Sequence, residues 1–271
     1  MTTPAISTEG RVFVAQLTRD LSAREIAGAG ALLAGAKTWT EAVNGFSDAL
    51  CAMEGPVKRA RAMRAAVMRL KSICETGACF INCSGGRSRS AYFEILAFEV
   101  AKHPLVESKN AGILVKLYRC IVQRNGCVAV YRNDPLAFVS WHALARMRER
   151  SQTDILLANG VVAMCGFAGM IMRRSEKHID NSIGFAVENM LCVGVLRTYD
   201  KMLGFFDVLT VLPPDDVRPA NVPLFEQGFA VADAVRKYLD SNDPIPKGYA
   251  DDIPVLPFNK NDYVTRKLTE S

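Results

Sequence analysis

Between residues 182 and 212 the chain concentrates the side chains that suit a pleated sheet. Ile183, Phe185, Val187, Leu191, Val193 and Val195 make residues 182–196 rich in β-formers. Gly204 is placed to turn the chain, and residues 205–212 supply a partner strand that Pro213 and Pro214 end. An antiparallel meander is expected here.

Before the meander, punctuation divides the chain. Residues 1–10 read as a flexible leader, and Val12, Phe13, Val14 and Leu17 suggest a strand over 11–17. An Ala-rich helix begins near Asp20, weakened by Gly28, Gly30 and Gly35. A helix over 38–53 places Trp39, Ala42, Val43, Phe46 and Leu50 on one side, and Gly55-Pro56 breaks it. Pro56 opens a basic amphipathic helix with Met63, Val67 and Leu70 on its apolar face. Residues 78–82 form a short strand, and 90–102 suit a buried helix or a strand equally. Residues 111–124 read as helix, 127–131 as strand and 133–135 as a turn. Ser140 is a good N-cap for a helix over 141–150. A second short helix over 154–158 is stopped by Asn159-Gly160, and an apolar, Gly-containing stretch over 160–172 follows. A final helix is expected over 225–239, then an extended tail with Pro244, Pro246, Pro254 and Pro257. The expected fold class is α+β. A mostly helical region at 1–135 precedes a helix-on-antiparallel-sheet module at 136–215, and 216–271 holds the last helix and tail.

Length and composition narrow the class. The 271 residues, 49% hydrophobic and 23% charged, are ordinary for a globular chain with a substantial core. No apolar run is read as approaching the length that crosses a bilayer, so no membrane partner is expected. Glu9 and Arg11 stand where a secretory signal has its apolar core, so no export is expected either. The 8 cysteines contain no tight CxxC pair and the 3 histidines are scattered. No metal or other cofactor is implied, and reduced thiols in a cytoplasmic protein are expected. The net charge of +5 is mild but unevenly placed. Lys58, Arg59, Arg61, Arg64, Arg69 and Lys71 lie in an acid-free stretch, and Arg146, Arg148, Arg150, Arg173 and Arg174 form a second basic cluster. Such clusters mark either an anionic partner such as nucleic acid or solvated helix faces.

Two motifs carry phosphate chemistry. The first is Cys83-Ser84-Gly85-Gly86-Arg87-Ser88-Arg89-Ser90. Cysteine phosphatases need a thiolate nucleophile, a ring of backbone amides and an arginine for the transition state. A strand at 78–82, Cys83, Arg89 and Ser90 supply those parts in order, and Gly86 allows close backbone approach. This stretch resembles the signature loop of dual-specificity phosphatases over about twenty residues. The resemblance implies Cys83 as nucleophile, Arg89 on the phosphate, Ser90 bonded to the thiolate and a general acid near Asp48. It departs from that family in having Asn82 where a histidine precedes the cysteine, and helix where upstream strands belong. The same residues also read as a β-hairpin turning at 84–87.

The second motif is Trp141-His142-Ala143-Leu144-Ala145-Arg146-Met147-Arg148-Glu149-Arg150. His142, Arg146 and Arg150 are four residues apart and share one helix face, while Leu144 and Met147 pack inward. This helix before the meander resembles small bacterial domains with an HALxRMxER signature, related to the barnase/RelE-like toxin ribonucleases. The resemblance covers 137–214 and implies RNA cleavage without a metal. His142 would be base or acid, Arg146, Arg150 and Arg197 would hold the phosphate, and Tyr199 would orient a group or stack on a base. RNA or another nucleic acid is then the partner. The other reading of His142 and these arginines is local capping, packing and pairing with Glu149 or Asp154. Three functions therefore stand: a toxin-type RNA-cleaving or RNA-binding protein, a cysteine-dependent phosphatase, and a non-catalytic nucleic-acid-binding adaptor using the basic helix at 58–71.

Overall fold

A stripe of apolar residues at helical spacing sets the first element. Helix α1 spans Thr8–Leu32, and Phe13, Leu17 and Leu21 are buried along one side of it. Their spacing of four is that of a helix face, and Val12 is exposed. The strand expected over 11–17 is thus corrected to helix. The computed structural model describes residues 6–74, 80–84, 91–105, 111–132, 135–173, 179, 182–187, 190–199, 203–216 and 226. The expected helix over 225–239, Glu226 excepted, and the tail lie outside the described residues.

The chain divides into two units, one of Ala15–Ala101 with Ile113–Pro135, the other of Met1–Val14, Lys102–Gly112 and Leu136–Ser271. The first, called here the α3 unit, holds most of α1, then α2 (Trp39–Ala52), α3 (Pro56–Cys74), β1 (Phe80–Ser84), β2 (Ala91–Lys102), β3 (Ala111–Val122) and β4 (Val128–Arg132). Thr38 and Glu41 close a capping box at the start of α2, so that helix begins where the sequence places it. The buried side of α2, Trp39 to Leu50, meets the buried side of α3, Ala60 to Leu70, and inward residues of β2 and β3 in one core. Strand β2 lies between β1 and β3, and β4 pairs antiparallel with β3. The helix expected over 111–124 is corrected to strand β3. Ile113, Leu114, Val115, Leu117 and Tyr118 are buried on both sides of the pleat, which erases the alternation that marks a half-buried strand.

A polar network ties these elements together. Tyr118 Oη donates to Glu99 Oε1 at 2.7 Å, Lys116 Nζ donates to Glu99 Oε2 at 2.6 Å, and Thr40 Oγ1 lies 2.7 Å from Tyr118 Oη. Glu25 accepts from the Trp39 amide at 3.3 Å. Burial, aided by the negative charge of Glu99, pushes the Glu25 carboxyl above its ordinary value. A carboxyl whose folded pKa is raised opposes folding when ionised, and that penalty disappears as pH falls through the folded pKa towards the unfolded one. Glu25→Gln keeps an acceptor for the Trp39 amide. It is expected to raise the melting temperature at pH 7–8, with the advantage shrinking towards pH 4.5. Thermal denaturation across that range checks this, and a destabilised variant at pH 7–8 contradicts it.

The second unit, called the α4 unit, contains β5 (Ala137–Ser140), α4 (Trp141–Ser151), α5 (Ile155–Met172), β6 (Ser182–Val187), β7 (Met190–Tyr199) and β8 (Leu203–Leu212). Its strands run in the order β5-β8-β7-β6. The expected β-rich run over 182–196 is divided, because 182–187 turns back to pair antiparallel with β7, Val187 opposite Met190. Strand β5 adds parallel to β8, so the sheet is mixed. Both helices lie on one face of it. Ser151 Oγ and Thr153 Oγ1 donate to the Met190 sulfur, the free thiol of Cys165 of α5 lies in hydrogen-bond contact with that of Cys192, and Gly169 of α5 lies against Phe206. Met190 and Cys192 share one side of β7, so residues at odd positions of that strand face the other way.

Helix α5 overrides a local stop signal. Asp154 caps it by accepting from the Leu157 amide at 2.8 Å, but the helix runs on through Asn159 and Gly160 to Met172. The end expected at 159–160 is corrected. A helical Gly costs only about 1 kcal/mol against Ala, which burial of Val161, Val162, Cys165, Phe167, Ala168, Ile171 and Met172 outweighs. The same run corrects the reading that no apolar stretch approaches bilayer length. Helix α5 is long and apolar enough to cross a membrane by length and composition, and two thirds of it is buried inside the protein. A Cβ at Gly169 would collide with the Leu136 carbonyl, which is backbone and cannot swing aside. Gly169→Ala is therefore expected to destabilise the protein by about 1–3 kcal/mol, as overpacking does. Urea denaturation measures it, and an unchanged midpoint contradicts this close approach.

Candidate functional site

The cysteine motif begins in strand β1, and residues 85–90 lie outside the described residues. Cys83 lies within β1, opposite Phe93, and Ser84 lies opposite Tyr92 of β2. A phosphatase loop must lead into a helix whose N-terminal amides meet the phosphate. Here the chain returns as strand β2, the hairpin alternative. The helix that the roles implied for Cys83, Arg89 and Ser90 call for is strand β2 here. Arg89 and Ser90 themselves lie outside the described residues.

The histidine helix forms as its spacing requires. Ser140 Oγ accepts from the Ala143 amide at 3.2 Å, and Gln152 ends α4 in the left-handed region at φ 51°. Ala143, Leu144, Ala145 and Met147 are buried against the unit, which leaves His142, Arg146 and Arg150 along a half-buried row. The two arginines are already engaged. Arg146 Nη1 meets Glu149 Oε2 at 2.8 Å, and Glu149 Oε1 accepts from the Ser7 amide at 2.8 Å. Arg150 Nη1 donates to the Val211 carbonyl at 2.9 Å and lies 3.5 Å from Asp216. Arg148, on the flank, pairs with Glu9 at 2.9 Å and with the carbonyls of Gln152 and Thr153. Each of Arg146 and Arg150 uses Nη1 for these contacts, and among the described residues Nε and Nη2 remain as further donors.

His142 is different. Its imidazole makes no hydrogen bond among the described residues. Burial lowers its pKa, and the charges of Arg146 and Arg150 add to that effect against an opposing contribution from Glu149. The ring is neutral at pH 7, the form that accepts a proton. Glu149 is held below its ordinary value, chiefly by its hydrogen bonds from Ser7, and stays ionised beside Arg146.

Arg197 and Tyr199 do not join this row. Arg197 occupies an odd position of β7 and faces away from α4 and α5. Its Nε contacts Asp207 Oδ2 at 2.5 Å, so its expected place on a phosphate beside His142 is corrected to a pair on the opposite face. Tyr199 ends β7, and its side chain lies outside the described residues.

That opposite face carries a cluster the sequence reading missed. His103 Nε2 lies 3.2 Å from the same Asp207 oxygen. His103 Nδ1 accepts from the Leu105 amide at 3.1 Å, which leaves the ring hydrogen on Nε2, aimed at Asp207. The ring packs edge-on against Phe138 at 4.8 Å and Phe205 at 5.8 Å. One signal pointed here. Asp207 is a lone carboxylate in an apolar strand, at a position whose neighbours Phe206 and Val208 are fully buried. Among the described residues no group of three or more His, Cys, Asp and Glu side chains is arranged to hold a metal ion.

No protein-family model matches the chain, no curated protein matches it, and no solved structure matches it. The geometry of α4 and of the Asp207 cluster therefore carries the functional reading alone. Both nitrogens of His103 are committed, and Asp207 is nearly inaccessible at 3% exposure, which makes that cluster a structural clamp. Asp207→Asn removes the charge that satisfies Arg197. Arg197 keeps 30% of its side chain exposed, so a loss of about 1–3 kcal/mol in chemical denaturation is expected. A variant as stable as the parent contradicts the clamp.

Proposed function

We propose that the α4 unit acts on RNA, with His142 as the proton acceptor in cleavage of the phosphodiester chain. The observation that carries this reading is the neutral, half-buried imidazole of His142, unbonded among the described residues and in line with two arginines. RNA suits a site with so few parts, because it brings its own nucleophile. Transfer of the 2′-hydroxyl proton to His142 lets that oxygen attack phosphorus, a 2′,3′-cyclic phosphate forms, and the bond to the 5′-oxygen breaks. The departing oxygen takes back a proton from the imidazolium or from water. The remaining N–H groups of Arg146 and Arg150 can contact the phosphate oxygens. Their existing contacts fix both guanidinium groups along the helix, as a site that must meet a phosphate in one geometry requires.

His142→Ala is expected to lower cleavage of a labelled single-stranded RNA by roughly 10²-fold, the usual cost of losing an acid–base group. Cleavage should survive a chelator. Since the imidazole pKa is lowered and the neutral form is the active one, the acid limb of the rate profile should fall below pH 6.5. Cleavage unaffected by His142→Ala, or no cleavage by the parent protein, sinks the reading.

A further inference from the structure

Helix α3 presents a second, separate set of cations. Its buried side, Ala60, Met63, Ala66, Val67 and Leu70, belongs to the core of the α3 unit. The opposite side is exposed and carries Lys58, Arg61 and Arg69 along one stripe, while Lys71 is exposed on the flank of the helix. No acidic residue lies between 58 and 71, so no pair at a spacing of three or four forms within that stretch. Among the described residues, Lys58, Arg61 and Lys71 have no carboxylate partner. Arg69 uses only Nε, on the Ala31 carbonyl at 3.1 Å. Arg59, by contrast, is tied to the carbonyls of Cys51, Met53 and Gly126 and belongs to the fold.

We propose that this face of α3 is a docking surface for the phosphodiester backbone of a nucleic acid. From Lys58 to Arg69 a helix rises about 16 Å, comparable to about five phosphates of one strand at 3.4 Å each. A row of fixed cations with that reach matches a linear polyanion. A lipid surface fits less well, since an interfacial helix inserts its apolar face and the apolar face of α3 is already inside the core. The exposed Val57 and Met68 stand singly between the cations. No aromatic residue lies on α3 to stack on bases, so recognition rests on phosphate and ignores sequence. This inference concerns a different unit from His142 and does not rest on cleavage.

The test uses fluorescence anisotropy with a labelled single-stranded DNA and an RNA of the same sequence, titrated in salt. The DNA lacks the 2′-hydroxyl and so reports binding whether or not RNA is cut. With three or four cations engaged, the slope of log affinity against log salt is expected between about −2 and −3. Lys58→Gln, Arg61→Gln and Lys71→Gln combined should flatten that slope by about 2 and weaken binding on the order of 10²-fold at low salt. The melting temperature should be unchanged. If the combined variant melts early, Lys58→Gln with Lys71→Gln should flatten the slope by about 1.4. Equal affinity and slope in the variants overturns the proposal. So does binding to anionic vesicles but not to either strand.

Discussion

Strand β8 is the element on which the α4 unit depends. Phe205, Phe206, Asp207 and Val208 are all buried, so both faces of the strand are covered at consecutive positions. Phe206 lies on the side of α5, while Phe205 and Asp207 lie on the side of His103. A carboxylate at such a position is tolerated only with its charge answered. Asp207 receives a hydrogen from His103 and a contact from Arg197 on one oxygen, and aromatic rings exclude water beside it. The constraint reaches the functional question directly. Arg197 is required by Asp207 and cannot also serve a phosphate on the face that carries His142.

Local signals were legible wherever a single element decides its own form. The start of a helix at Thr38, the break at Gly55-Pro56, the N-cap Ser140 and the inward turn of Leu144 and Met147 each rest on neighbours within a few residues, and each stands as read. The losses share one cause. Strand β3 and helix α5 are buried on nearly every side, and full burial removes the periodicity that separates helix from strand. Asn159-Gly160 reads as a stop only if the helix must stand alone, and α5 does not. The candidate site divides in the same way. The row on α4 follows from spacing of four within one helix, whereas the position of Arg197 depends on which face of β7 the helices cover, and that depends on pairing between distant segments.

Desolvation acts on two titrating groups with opposite sign, and the contrast clarifies what each can do. Burial disfavours the charged form in both cases. For Glu25 this raises the pKa and sets a carboxyl against its own ionisation inside a satisfied network of hydrogen bonds. For His142 it lowers the pKa and leaves a neutral ring without a hydrogen-bonding partner among the described residues. The first arrangement modulates stability. The second keeps a proton acceptor at physiological pH, which is the property a reaction at phosphorus would use.

The arginines sort by whether an acceptor lies within reach. On α4, Glu149 sits three residues from Arg146, Asp216 lies close to Arg150, and Glu9 meets Arg148, so every guanidinium of that helix is drawn into the fold. These contacts fix direction and reduce the net positive field that a distant anion would feel. On α3 the absence of acids from 58 to 71 prevents the same neutralisation, and the core has already taken the apolar side. Among the described residues, Lys58, Arg61 and Lys71 there have no carboxylate partner. The docking proposed for α3 and the chemistry proposed for α4 thus draw on different charge patterns, set by where the sequence places its carboxylates rather than by where it places its arginines.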